Sequence, residues 1–445
     1  MLILMCFLSI ISQQLVLLED ENKSNPKLKE TELITNIRSK NIDKIKLLLE
    51  NYQNVNECDT LGISPLMYAI NEQNIDIIKL LLEFKADVNY KTPAKRTPLM
   101  IATQIGNVDI VKLLIEKKAS TKTEIPLIFI AIEHKKKDMI DLYLPNTDIN
   151  TVTQYDNLLT ISIIAQDVDI FKKILSKTKN LVNKKSPGGL YPLLLAISLG
   201  NIEIIKLLLE SGANINIKNE NGETPLNMAI IQGGNPELID LLLKFKANPN
   251  IQGYYNMSAL MIATQYKRPH IIKKLLPISD IYLKNNMGET ALFYSIYDKE
   301  CFILLINEYK NIKNIKNNNK NSLFYKLIDF GDFEILKLYP KNEIDYEEVD
   351  NAGNNLFLVA IRRGNIDIIS YLLDLPLKFN HINNLGYNAL FSAIEFNNMD
   401  IIRLLFSKGF KDDFIFNNKT LFQNATETQN DRLIYLLKHL EENQK

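Results

Sequence analysis

A segment of about thirty residues recurs along this chain, and that recurrence limits the fold more than any other feature. The clearest copy runs from Asn201 to Ile230, NIEIIKLLLESGANINIKNENGETPLNMAI. Asn201 is placed to cap a helix, and Glu203 lies in the first turn, where a carboxylate suits the amide end of the dipole. Ile204, Ile205, Leu207, Leu208 and Leu209 form an apolar face at helical spacing. Gly212 ends that helix, because a residue past the C-cap often needs positive φ and glycine takes it at little cost. Asn219-Glu220-Asn221-Gly222 reads as a tight turn. Pro225 opens a second helix, where a missing N–H does no harm. Such a unit cannot fold alone. Ordering costs roughly 1.5 kcal/mol per residue, whereas about eight apolar side chains return only ~1.5–3 kcal/mol each. Its faces must be buried on neighbouring copies.

Aligned on the position of Pro225, copies fall at Glu32, Pro65, Pro98, Leu127, Leu158, Pro192, Pro225, Ala259, Ala291, Leu323, Leu356, Ala389 and Leu421, thirteen in all. The spacing stays between 29 and 34 residues. Ser64-Pro65-Leu66, Thr97-Pro98-Leu99, Thr224-Pro225-Leu226 and Thr290-Ala291-Leu292 open first helices. Ile77-Ile78-Lys79-Leu80-Leu81-Leu82 marks a second helix, and Gly212-Ala213-Asn214-Ile215-Asn216 the loop after one. In period and in these motifs the chain resembles the ankyrin-repeat family over residues 28 to 440. The resemblance implies an all-α fold: a solenoid of about thirteen helix-turn-helix repeats with short hairpin-like loops. The expected organisation is an apolar segment at 1–18, a polar linker at 19–27 and a repeat domain over 28–445. The first copy lacks the T-P-L entry and reads as a degenerate end repeat, whose outer face meets no neighbour.

A chain of 445 residues is too long for one globular core and must split or repeat. It carries 52 basic and 52 acidic side chains, a balance that argues against general nucleic-acid binding. Its many asparagines, isoleucines and lysines read as compositional drift. Cys6, Cys58 and Cys301 form neither a disulfide framework nor a metal spacing.

Residues 1–18, MLILMCFLSIISQQLVLL, are the right size for the core of an export signal and slightly short for a membrane span. No Lys or Arg precedes them and no A-x-A site follows. A signal or membrane anchor, with an exported or membrane-associated protein, is favoured over a helix packed on the first repeat.

The chain departs from the family pattern in one place. The histidine that usually follows T-P-L is absent from all copies; Met67, Met100, Phe129, Asn227, Met261, Phe293 and Phe391 stand there among others. Leu-Phe pairs recur in the last five copies, from Leu292-Phe293 to Leu421-Phe422. Core packing in place of a polar ladder is expected for both, with an aromatic ligand groove as the alternative. Between Lys117 and Ile125 the D-x-x-G turn is missing. On the second helices, Asp76 with Lys79 and Asp109 with Lys112 are spaced to pair.

No Walker loop, G-x-G-x-x-G, G-x-S-x-G, H-E-x-x-H or C-x-x-C occurs. His134, His270, His381 and His439 fall in four different copies, and Glu347-Glu348 has no neighbouring base. No catalytic residue, cofactor site or metal site is expected. Stacked repeats instead expose a long surface of loop tips and first helices. The expected function is a non-catalytic scaffold, a monomer holding another protein on its concave face. The alternatives are an envelope-anchored structural protein and a host-directed effector acting through a partner enzyme. No nucleic acid is expected as partner, and a membrane only through residues 1–18.

In the family the third, sixth and seventh residues after the proline point to the concave side. Here the third is Tyr68, Ile101, Ile130, Ile161, Leu195, Met228, Ile262 and Tyr294. The sixth and seventh add Tyr266, Tyr297, Phe330 and Phe396, with Arg362 and Arg363 between them. Tyrosine and arginine often dominate interface energy. The candidate partner-binding residues are therefore Tyr68, Tyr266, Tyr294, Tyr297, Phe330, Arg362, Arg363 and Phe396.

Overall fold

The computed structural model describes residues 31–410, apart from 52, 53 and 397, together with the isolated positions Gln423, Thr426 and Ile434. Within this range every copy forms two antiparallel helices, and all twelve markers from Glu32 to Ala389 are the first residue of a first helix. The thirteenth, Leu421, lies outside the described residues, as do the segments 1–18 and 19–27.

The described residues fall into two compact units, one ending at Asn214 and the other beginning at Ile215. The first holds the pairs α1 (Glu32–Arg38) and α2 (Ile42–Glu50), α3 (Pro65–Asn71) and α4 (Ile75–Glu83), α5 (Pro98–Ile105) and α6 (Val108–Glu116), α7 (Leu127–Glu133) and α8 (Lys137–Tyr143), α9 (Leu158–Ile164) and α10 (Val168–Thr178), and α11 (Pro192–Leu199) and α12 (Ile202–Glu210). The second holds α13 (Pro225–Ile231) and α14 (Pro236–Lys244), α15 (Ala259–Gln265) and α16 (Pro269–Leu275), α17 (Ala291–Tyr294) and α18 (Lys299–Ile306), α19 (Leu323–Phe330) and α20 (Phe333–Leu336), α21 (Leu356–Arg363) and α22 (Ile366–Leu373), and α23 (Ala389–Glu395) and α24 (Met399–Ser407). No strand forms among the described residues; the hairpin-like loops contribute three isolated bridges.

Short polar side chains set the helix starts. Ser64, Thr97, Thr224 and Ser258 cap first helices, and Asn74, Asn107, Asn201, Asn365 and Asn398 cap second helices, each accepting the N–H of the N3 residue. Each cap is worth ~1 kcal/mol. Many helices end on a residue with positive φ. Glycine serves at Gly106 and Gly212, but Lys85, Lys118 and Lys246 fill the same role past α4, α6 and α14.

Apolar side chains of first and second helices meet within each copy and against its neighbours. Met67, Met100, Phe129, Met261, Phe293 and Phe391 are all buried, as are Phe324 and Phe357 of the Leu-Phe pairs. Where the family pattern has histidine, this chain packs hydrocarbon and sulfur. Asn227 is the exception: it is buried, and neither amide atom has a hydrogen-bond partner. Unpaired burial of an amide costs about 1–3 kcal/mol by mutational measures.

Asparagine is not mere drift. Beyond capping helices, Asn56, Asn89, Asn183, Asn216 and Asn250 form a ladder between copies. Their Oδ1 atoms accept the N–H of Asp87, Ser120, Asn214, Asn248 and Asp280, about thirty residues on, at 2.7–2.9 Å. Asn219, Asn285, Asn317 and Asn383 close the hairpin turns by accepting two backbone N–H groups each. Glu348 was left without a role by the sequence. It is buried, and its carboxylate accepts from both the backbone N–H and the hydroxyl of Ser322, the cap of α19. The expected pairs Asp76–Lys79 and Asp109–Lys112 do not form. Lysines reach instead to the adjacent copy, as in Lys137–Asp169 at 2.8 Å and Lys273–Glu300 at 3.1 Å. Such exposed pairs contribute little, because water and salt screen them.

Candidate interaction surface

Each first helix, counting the 3-10 turn that completes α17, closes at the sixth or seventh residue after its marker. In the second unit that register carries Tyr266, Tyr297, Phe330, Arg363 and Phe396. The four aromatic residues are 44–51% exposed. Tyr297 stands edge-on to Phe330, with ring centroids 4.8 Å apart and planes at 84°. It reaches this position through a 3-10 turn, Ser295–Tyr297, that replaces the last turn of α17. Arg363 Nε donates to Asp329 Oδ1 at 2.7 Å, and Arg362 approaches the same carboxylate at 3.6 Å. One acid thus sits against two exposed guanidinium groups. The seventh position in the first unit holds Ser39, Glu72, Ile105, His134, Ala165 and Leu199, with no aromatic among them.

The third position is different. Tyr68, Ile101, Ile130, Ile161, Leu195 and Ile262 are buried, and Met228 and Tyr294 half-buried. These apolar side chains fill the space between neighbouring first helices, so they form no surface strip. Tyr68, expected among the partner-binding residues, therefore offers a partner no surface: it is 2% exposed, and its hydroxyl donates to Asp59. Tyr294 is tied similarly. Its hydroxyl accepts from Asn285 Nδ2 at 2.6 Å, and burial raises its pKa.

A second exposed apolar group lies at the hairpin tips, and the sequence reading passed over it. Tyr254, Tyr255 and Met287 are 55–60% exposed, and the two tyrosine rings meet at 4.1 Å. Tyr255 and Asn256 both have positive φ. The tips are joined by backbone hydrogen bonds, Asn286 N–H to Tyr255 C=O at 3.1 Å and Asn318 N–H to Met287 C=O at 2.9 Å. The available signal was two tyrosines in a turn that elsewhere holds asparagine or glycine.

In the first unit, charged groups converge near the end of α7. Burial and the charge of Asp156 push the Glu133 carboxyl up to about 7, and Asp156 is itself buried and raised. Burial lowers the pKa of His134, with Lys136 and Arg96 adding to the effect. No group of three or more His, Cys, Asp or Glu side chains able to hold a metal occurs among the described residues. No described helix is long and apolar enough to cross a membrane.

Tandem helix pairs bearing a line of exposed side chains on successive copies define a repeat protein of the binding-surface class. A family described as "Ankyrin repeats (3 copies)" matches in eight overlapping segments, from 10–92 to 324–415. The chain belongs to the ankyrin-repeat family. Among solved structures it is similar to the crystal structure of the human ASB11 ankyrin repeat domain, at 25% identity, 49% coverage of this chain, 100% of that one and a TM-score of 0.41. No curated protein matches it.

Proposed function

We propose that the protein is a non-catalytic scaffold that holds another protein along the first-helix ends of its second unit, on the concave side of the repeats. Tyr266, Tyr297, Phe330 and Phe396 supply the apolar anchors, and Arg362 and Arg363 the charged ones. The carrying observation is the exposure of four large aromatic side chains at the sixth or seventh position of four copies. Exposed apolar groups that recur at the ends of successive first helices favour an interaction site over a chance surface, and Tyr and Arg are frequent hot spots. The balanced charge supports a protein rather than a nucleic acid as partner.

The test pairs Tyr297→Ala with Phe330→Ala. Proteins captured from the native source by the wild-type chain and by the double variant would be compared by mass spectrometry, and the affinity of any shared partner measured. A loss of tenfold or more with an unchanged urea midpoint supports the reading. Unchanged capture and affinity would overturn it.

A further inference from the structure

The first-helix ends of the second unit carry charge as well as aromatic rings, and most of the acid there is already engaged. In the copies marked by Ala259 to Ala389, the residues from the sixth position to the cap of the second helix include Lys267, Arg268, Arg362 and Arg363, against Asp298, Asp329, Asp332 and Glu395. Asp298 and Asp332 cap α18 and α20. Their carboxylates accept the N–H of Cys301 and Ile335 at 2.9 and 3.1 Å, and the positive end of each helix meets their charge. Asp329 lies against two cations, Arg362 at 3.6 Å and Arg363 at 2.5 Å. Only Glu395, exposed on the next copy, neither caps a helix nor pairs with a cation in this row.

The basic groups are less committed. Nearby Lys273 and Lys274 pair with Glu300 and Asp240, whereas Lys267 and Arg268 form no ion pair among the described residues. Arg268 is half-buried, and its Nε has no hydrogen-bond partner. A Cβ built on Gly234 would come within 4.0 Å of Arg268 Cδ, so its stem lies against the preceding copy. Two cations without an acid thus stand beside Tyr266, before the Tyr297–Phe330 pair, and two cations sharing one acid follow it.

We infer that the segment this surface takes from its partner is acidic on both sides of an apolar centre. Its carboxylates meet Lys267 and Arg268 at one end and Arg362 and Arg363 at the other, and its apolar side chains lie on Tyr297 and Phe330. The inference rests on the proposed function and narrows it. Carboxylate–guanidinium hydrogen bonds are charge-assisted and can be bidentate. Complementary charge also fixes the orientation of the segment and makes its capture sensitive to salt.

The experiment selects a random peptide library, displayed on phage, against the full chain. Enriched peptides should hold Asp or Glu on either side of an aromatic or aliphatic residue. Their affinity should fall about tenfold or more in Lys267→Gln/Arg362→Gln, and also as salt is raised to about 0.5 M. Both replaced side chains are exposed, so the urea midpoint should not move. Peptides that lose affinity in Tyr297→Ala/Phe330→Ala, yet show no excess of acid or bind Lys267→Gln/Arg362→Gln as well as the wild type, would overturn this inference and leave the surface in place. Peptides indifferent to Tyr297→Ala/Phe330→Ala, or a library that yields no binder, would overturn both readings.

Discussion

Tyr68 donates its phenolic hydrogen to Asp59 Oδ2 at 2.7 Å, across the hairpin that precedes its own helix. The other oxygen of Asp59 accepts the N–H groups of Leu61 and Ile63. The tyrosine thus pins the turn that launches α3. Tyr68→Phe removes one donor to a buried carboxylate and should cost about 1–2 kcal/mol, read as a lower urea midpoint, with partner affinity unchanged.

Glu133 gives the first unit a pH dependence. Its carboxyl, normally near 4.5, sits at about 7 in the folded chain because it is buried beside Asp156. A raised folded pKa means the stabilisation is full below about 4.5 and is lost as pH rises through 7. Ionisation above pH 7 should cost at most about 3 kcal/mol. Glu133→Gln should raise the urea midpoint at pH 8, leave it nearly unaltered at pH 4.5, and flatten the profile between. An identical profile in the variant would exclude this assignment.

Lys85, Lys118 and Lys246 adopt φ of 61–68° at helix ends where Gly212 does the same job. A left-handed residue with a Cβ costs roughly 1–2 kcal/mol, and glycine returns part of that as unfolded-state entropy. Each Lys→Gly change should stabilise by about 0.5–1 kcal/mol. Chemical denaturation of the single variants and of the triple variant measures each effect and any coupling between Lys85 and Lys118, which stand at the same position of adjacent copies.

Asn227→Leu should stabilise the second unit by about 1–2 kcal/mol, because both atoms of this buried amide lack a partner. Most neighbouring copies already hold an apolar residue there. A lower midpoint would mean that the amide has a partner, such as an ordered water.

The periodicity made the helices legible: every described marker opens a helix, and at most of them a capping hydroxyl or amide supplies a local signal. Whether Tyr68 or Tyr297 was exposed was not legible. Both are tyrosines near a first helix, and their burial depends on copies about thirty residues away. The partner of Glu348 was hidden for the same reason, since Ser322 lies 26 residues before it. The asparagine ladder was masked by abundance: in a chain rich in one residue type, frequency alone does not separate the working positions from the rest.

That ladder bears on chemical ageing. Deamidation turns asparagine into aspartate, which keeps the oxygen that accepts the next copy's N–H. Asn56 and Asn250 make their links through that oxygen, so conversion would leave those links formed. Asn89 and Asn183 also donate Nδ2 to the carbonyls of Lys118 and Gly212. Conversion there would set a carboxylate against a carbonyl oxygen, and old protein would loosen at those two rungs.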